Sequence, residues 1–150
     1  MQNLKDVDFY LENARILLID DSEPFQNLTV AMLEKCGVAS VDVASTLMDG
    51  MRKLHYLSND DGLCPDYDAV LLDVNLPDGN GVCGCEFVSL HADTFAIPVV
   101  VISGSMTPIM VDEAFNSGAV DFLQKPFVAS LLKKRLGSLL KLKSIEELCV

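Results

Sequence analysis

The sequence is poor in positive charge. Eleven Lys and Arg stand against 22 Asp and Glu, a formal net charge of −11. That balance argues against nucleic acid or an anionic membrane as a direct partner. No apolar run approaches the length of a transmembrane helix. The early acids Asp6, Asp8 and Glu12 do not suit an export or transit signal, so a cytoplasmic location is expected. The five cysteines, Cys36, Cys64, Cys83, Cys85 and Cys149, are odd in number and irregularly spaced. Cys83-Gly84-Cys85 is not a Cys-x-x-Cys pair and has no second pair to complete a zinc site, so reduced thiols are expected. Internal repeats and low-complexity segments are also lacking. What remains is 150 residues, half of them hydrophobic, which suits one packed domain.

Five short apolar segments alternate with helical periodicity. Strands are expected at 15–19, 38–44, 69–72, 98–102 and 120–124. Between them, Ser22 and Pro24 open a helix carrying Phe25, Leu28, Met32 and Cys36, closed by Gly37. Ser45 caps a second, with Leu47, Met51 and Leu54 on one face. A third runs from Val82 to Ala92 with Phe87 and Leu90 inward. A fourth begins at Pro108, with Val111, Ala114 and Phe115 on one side, and ends at Gly118. The fifth, from Phe127 to Leu142, uses Leu132, Leu136 and Leu139. Its basic residues Lys133, Lys134, Arg135, Lys141 and Lys143 read first as a solvated face. Residues 58–66 form a polar loop. His55 and His91 are isolated and read as surface residues.

Alternation of this kind implies an α/β fold, a doubly wound five-stranded parallel sheet with helices on both faces. The three most hydrophobic strands belong in the middle and the thin strand at 38–44 at an edge. The order 2-1-3-4-5, a flavodoxin-like (βα)5 topology, follows. Its switch point lies between the first and third strands.

That order has a chemical consequence. The first strand runs into Asp20 and Asp21, and the third ends on Asp73, before a turn built from Asn75, Pro77, Asp78, Gly79, Asn80 and Gly81. The three acids converge on one crevice. Charges ~4 Å apart repel by ~4 kcal/mol at an effective dielectric constant of 20, so a proton or a cation must lie among them. A hard divalent cation with oxygen ligands, Mg2+, fits best. The fourth strand adds Ser103 and Gly104, and the fifth adds Lys125. A nucleophilic carboxylate at Asp73, with a cation and Lys125 to neutralise charge and Ser103 to hydrogen-bond an oxygen, is what phosphoryl transfer to an aspartate needs.

These residues carry a resemblance. Ile19-Asp-Asp-Ser22, Leu72-Asp-Val-Asn-Leu-Pro-Asp-Gly-Asn-Gly81, Ile102-Ser-Gly104 and Gly118-Ala-Val-Asp-Phe-Leu-Gln-Lys-Pro-Phe127 follow in the order and spacing of a response-regulator receiver domain of two-component signalling (the CheY-like superfamily). The resemblance spans about residues 14–142, and it divides the chain into an N-terminal extension, 1–13, a receiver domain, 14–143, and a tail, 144–150. It implies phosphoryl transfer to Asp73 from a histidine kinase or histidine phosphotransfer protein. It implies that Asp21, Asp73 and the backbone carbonyl of Asn75 ligate Mg2+ directly, with Asp20 acting largely through a bound water. It implies that Ser103, Lys125 and the aromatic residue Phe122 read the phosphoryl group, and that Asn75 and Ser105 tune its lifetime. The role is then signalling, not turnover of an external substrate. The output is expected on the face of the helix at 108–117, the last strand and the helix at 127–142, where a downstream protein or a second copy would bind.

Two other classes share parts of this pattern. A flavodoxin-like flavin binder would need a phosphate-cradling loop where Asp20-Asp21-Ser22-Glu23 stands. An aspartate-nucleophile phosphatase wants a second acid two residues after the nucleophile, and Asn75 occupies that position. A phosphorylation-independent binding module is the remaining alternative.

Overall fold

The structure is a computed structural model. It describes residues 4–55, 67–90, 97–105 and 107–148, with the side chains of 4–6, 55 and 146–148 outside that description. The loop at 58–66, Cys64, His91 and Cys149, and the side chain of His55, therefore lie outside the described residues.

Five parallel strands form the sheet: β1 (Arg15–Ile19), β2 (Ser40–Ala44), β3 (Ala69–Asp73), β6 (Val99–Ser103) and β7 (Asp121–Gln124). A two-residue antiparallel pair, β4 (Asn75–Leu76) and β5 (Gly79–Asn80), lies between β3 and β6 in sequence. The order of the large sheet is β2-β1-β3-β6-β7, which is the expected 2-1-3-4-5. The helices are α1 (Leu4–Glu12), α2 (Glu23–Cys36), α3 (Leu47–His55), α4 (Gly81–Leu90), α5 (Pro108–Asn116) and α6 (Ala129–Leu148).

The period of two along each strand divides the core. Leu17, Ile19, Val70, Leu72, Val99 and Val101 face one way, into a cluster with Leu54, Cys85, Val88, Ala114 and Phe122. Ile16, Leu18, Ala69, Leu71, Val100 and Ile102 face the other, against Leu11, Leu33, Cys36, Leu132, Leu136 and Leu140. Strands buried on both faces read as unbroken apolar runs, which is why β1, β3 and β6 were legible and central. Only one residue of β2, Ala44, is fully buried, as an edge strand requires.

Several expected details change. The N-terminal extension contains a full helix, α1, whose Leu11 is buried and whose Val7 packs against Gly137 of α6. α6 begins at Ala129 and runs on to Leu148, so most of the expected tail is helical. Its inward stripe is Leu132, Leu136 and Leu140, with Leu139 only partly buried. In α2 the buried positions are Thr29, Leu33 and Cys36, and Leu28 is exposed. Ser22 occupies the N-cap of α2 without a capping side-chain bond; its own N–H instead donates to Asp20 Oδ1 at 2.9 Å. The first turn of α3 is capped not by Ser45 but by Thr46, whose hydroxyl accepts from Asp49 N–H at 3.0 Å.

The larger correction concerns α4. Phe87 and Leu90 face outward, and Gly81, Gly84, Cys85 and Val88 are buried instead. Small residues at this spacing let the helix lie close to the strand before it. A Cβ on Gly81 would fall 2.1 Å from the Asp73 carbonyl oxygen. Size alone suggested the wrong face. In α5, likewise, Ala114 is the buried residue and Phe115 is turned out.

Candidate functional site

The strand register sets the site. β1 pairs with β3 through Ile19 and Leu72, and β3 with β6 through Asp73 and Ile102. The residues that follow, Asp20, Asp73 and Ser103, therefore share one sheet edge at the switch point. One carboxylate oxygen of each of Asp20, Asp21 and Asp73 lies within 4.8 Å of the others. Asp20 and Ser103 are fully buried, Asp73 is 5% exposed, and Asp21 faces solvent.

Lys125, just beyond β7, reaches into this cluster. Its Nζ lies 2.9 Å from Asp73 Oδ2, a hydrogen bond, and 2.8 Å from Asp20 Oδ2. The second approach is a buried ion pair, so one ammonium bridges the two carboxylates. Burial pushes the Asp73 carboxyl above its ordinary range; the Lys125 hydrogen bond and charge and the Asn75 N–H pull it back, while Asp20 adds to the rise. Burial acts to lower the Lys125 ammonium, yet its contacts with Asp20 and Asp73 outweigh that and the net shift is upward. The lysine thus does part of the neutralising expected of a cation. It leaves Asp21 and the second oxygens of Asp20 and Asp73 as donors.

That donor set suits a hard divalent ion. All the side-chain ligands are oxygens, and two of the three acids are buried. One or two carboxylates with water completing the shell is the usual arrangement for Mg2+.

The remaining expected residues lie around this centre. Asn75 is exposed at the start of β4, and its N–H donates to Asp73 Oδ1 at 3.2 Å. Ser103 Oγ accepts the Ser105 N–H at 3.1 Å, and the Lys125 N–H donates to the Ser103 carbonyl at 2.7 Å. Gly104 and Ser105 are exposed, and a Cβ on Gly104 would meet nothing within 4 Å. Phe122 is set back from the crevice, 5% exposed and packed in the cluster beneath α5. The basic residues of α6 are partly engaged within the chain. Lys133 pairs with Asp8 of α1 at 2.8 Å and Arg135 with Asp121 of β7 at 3.0 Å, whereas Lys134 is exposed.

Three neighbours of the site escaped the sequence reading. The ring of Phe25, in the first turn of α2, lies 4.1 Å from Lys125 Nζ. Gln26 donates from Nε2 to the Asp20 carbonyl and, at 3.0 Å, to Ser45 Oγ. The Asp78 carboxylate accepts from the first turn of α3. The signal for Phe25 was its position on the helix that follows Asp20-Asp21; helical periodicity assigned it to the core stripe instead.

Comparison with known proteins agrees with this geometry. Residues 16–137 match the response regulator receiver domain family model. The response regulator PleD of Caulobacter vibrioides is 35% identical over 133 residues, which cover 89% of this chain and 27% of PleD. A probable transcriptional regulatory protein of Picosynechococcus is 33% identical over 130 residues, covering 85% of this chain and 49% of that protein. The chain thus spans about half, or less, of the length of these curated relatives. A CheY-like response regulator receiver domain protein from Methanospirillum hungatei superposes with a TM-score of 0.76 at 23% identity, covering 89% of this chain and 98% of that one, a likeness of fold. No described helix is long and apolar enough to cross a membrane. The chain belongs to the response regulator receiver domain family of two-component signalling.

Proposed function

We propose that Asp73 accepts a phosphoryl group from a histidine kinase or histidine phosphotransfer protein, and that this modification is the signal the domain carries. The supporting observation is the meeting of Asp20, Asp21 and Asp73 with Lys125 at the switch point of the sheet. An Asp73 oxygen attacks phosphorus, the bond to the donor nitrogen breaks, and its electron pair leaves with the donor. Lys125 keeps the buried carboxylate ionised and then stabilises charge on the phosphoryl oxygens. Asp20, Asp21, Asp73 and the Asn75 carbonyl would hold Mg2+, which supplies charge neutralisation when bound. The domain serves as a phosphoacceptor, not as an enzyme acting on external substrates.

The group is read by displacement. Phosphorylation adds about −1.5 to −2 charges and new acceptor oxygens. Ser103 turns its hydroxyl toward them, leaving the Ser105 N–H, and Phe122 follows into the space behind β6. α5, β7 and α6 then change shape together, and a downstream protein or a second copy binds there. Of Lys133, Lys134 and Arg135, Lys134 is the one with no ion pair among the described residues, and so the one best placed to meet it.

The experiment is incubation with phosphoramidate, with and without Mg2+. One base-labile phosphoryl group per chain, added only with Mg2+ and lost in Asp21→Ala, is the expected result. Absence of labelling leaves a phosphorylation-independent binding module, and turnover of unrelated phosphate esters identifies a phosphatase.

A further inference from the structure

The Lys125 ammonium has three close neighbours: Asp20 Oδ2 at 2.8 Å, Asp73 Oδ2 at 2.9 Å and the centroid of the Phe25 ring at 4.1 Å. The first two belong to the carboxylates assigned above to the cation and the phosphoryl group. Loading the crevice takes both away as exclusive partners of the lysine, and a divalent cation among them repels the ammonium directly. The ring is not consumed. Its face is an electrostatic site for a cation that needs no carboxylate.

The ring is also held independently of the crevice. Phe25 stands in the first turn of α2, which Glu23 and Pro24 begin. Its other neighbour is Phe127, met edge to face with ring centroids 5.5 Å apart and an interplanar angle of 88°. Phe127 lies two residues beyond Lys125 and is itself buried. The same aromatic pair therefore joins α2 to the loop that carries the lysine, and fixes where the ammonium rests.

We propose that Phe25 is a positioning residue for phosphoryl transfer: its ring holds the Lys125 ammonium over the crevice while the carboxylates are occupied by the cation and the phosphoryl group. The proposal rests on the function proposed above and adds a requirement to it. The requirement is for an aromatic face and not only for apolar bulk, so Tyr should serve and Leu should not.

The test compares the wild type with Phe25→Tyr and Phe25→Leu. Initial rates of phosphorylation by phosphoramidate at saturating Mg2+ should fall roughly three- to tenfold in Phe25→Leu and stay near wild type in Phe25→Tyr. A spectroscopic readout separates positioning from general packing. The Lys125 side-chain methylene protons should be shifted upfield by the ring current in the wild type and Phe25→Tyr, both unloaded and with Mg2+ and beryllofluoride, and should return to ordinary positions in Phe25→Leu. Equal rates in wild type and Phe25→Leu overturn the proposal. So does equal loss in both variants, or an unshifted Lys125 in the loaded wild type, a measurement that needs no variant to fold. A wild type that accepts no phosphoryl group at all overturns the function on which the proposal rests, and the proposal with it.

Discussion

Asp78 accepts the backbone N–H of Met48 through Oδ2 at 2.9 Å, and that of Leu47 through Oδ1 at 2.7 Å. A carboxylate in the turn after β3 thus caps α3, the helix that packs beside α4 on the same face of the sheet. Two otherwise orphaned N–H groups are satisfied, and a negative charge sits at the positive end of the helix. The two hydrogen bonds, Met48 first, hold the Asp78 carboxyl below its ordinary value.

Asp78→Ala should lower stability at neutral pH, and Asp78→Asn should lower it less because the amide oxygen still accepts. Since the folded pKa is depressed, the contribution is present above the unfolded value and is lost as pH falls through the folded one. Urea melts at neutral and acid pH should show the gap between wild type and Asp78→Ala closing on acidification. A gap that is constant with pH contradicts the assignment.

The glycines around the crevice should behave oppositely. A Cβ on Gly81 would lie 2.1 Å from the Asp73 carbonyl oxygen and 2.8 Å from its carbonyl carbon, both backbone atoms that cannot yield without moving Asp73. Gly81→Ala should cost roughly 1–3 kcal/mol and slow phosphorylation. Gly104→Ala, where a Cβ meets nothing within 4 Å, should leave the fold near wild type. Denaturation midpoints of the two variants check the contrast.

Thr29 is fully buried on α2, and its hydroxyl has no hydrogen-bond partner among the described residues. Valine has nearly the same shape without the polar atom. Thr29→Val should therefore raise stability by about 1 kcal/mol. An unchanged or lower denaturation midpoint would show that the hydroxyl is satisfied.

How much of this was visible in the sequence depends on the signal each feature carries. β1, β3 and β6 announce themselves as apolar runs, and a run that ends on Asp20, Asp73 or Ser103 points to the sheet edge where those groups meet. Relative hydrophobicity also ordered the strands. α4 misled because its packing depends on what Gly81 lacks against the Asp73 backbone and Gly84 against Leu47 of α3, whereas patterning weighs the large Phe87 and Leu90. Helix capping by Asp78 and the approach of Phe25 to Lys125 are tertiary. Each joins residues far apart in the chain, and no local period records them. Residues 1–13 carry no helix in the sequence reading, only an extension, because the contacts that hold α1, Leu11 in the core and Val7 on Gly137, come from elsewhere in the fold.

The switch makes its own demand. Phe122 packs beneath α5 in the cluster on that side of the sheet. Phe122→Ala should still accept a phosphoryl group but lose the change in amide exchange across α5, β7 and the first half of α6 that beryllofluoride should produce in the wild type. A wild-type response confined to the crevice loops contradicts the proposed readout.

The most direct measurement is to locate the phosphoryl group. Protein treated with phosphoramidate and Mg2+ is digested under acidic conditions, and the modified peptide is sequenced by tandem mass spectrometry. The account predicts a single modification on Asp73, with Asp73→Asn unlabelled under the same conditions. Full labelling of Asp73→Asn, or a phosphoryl group found on any other residue of the wild type, would contradict it.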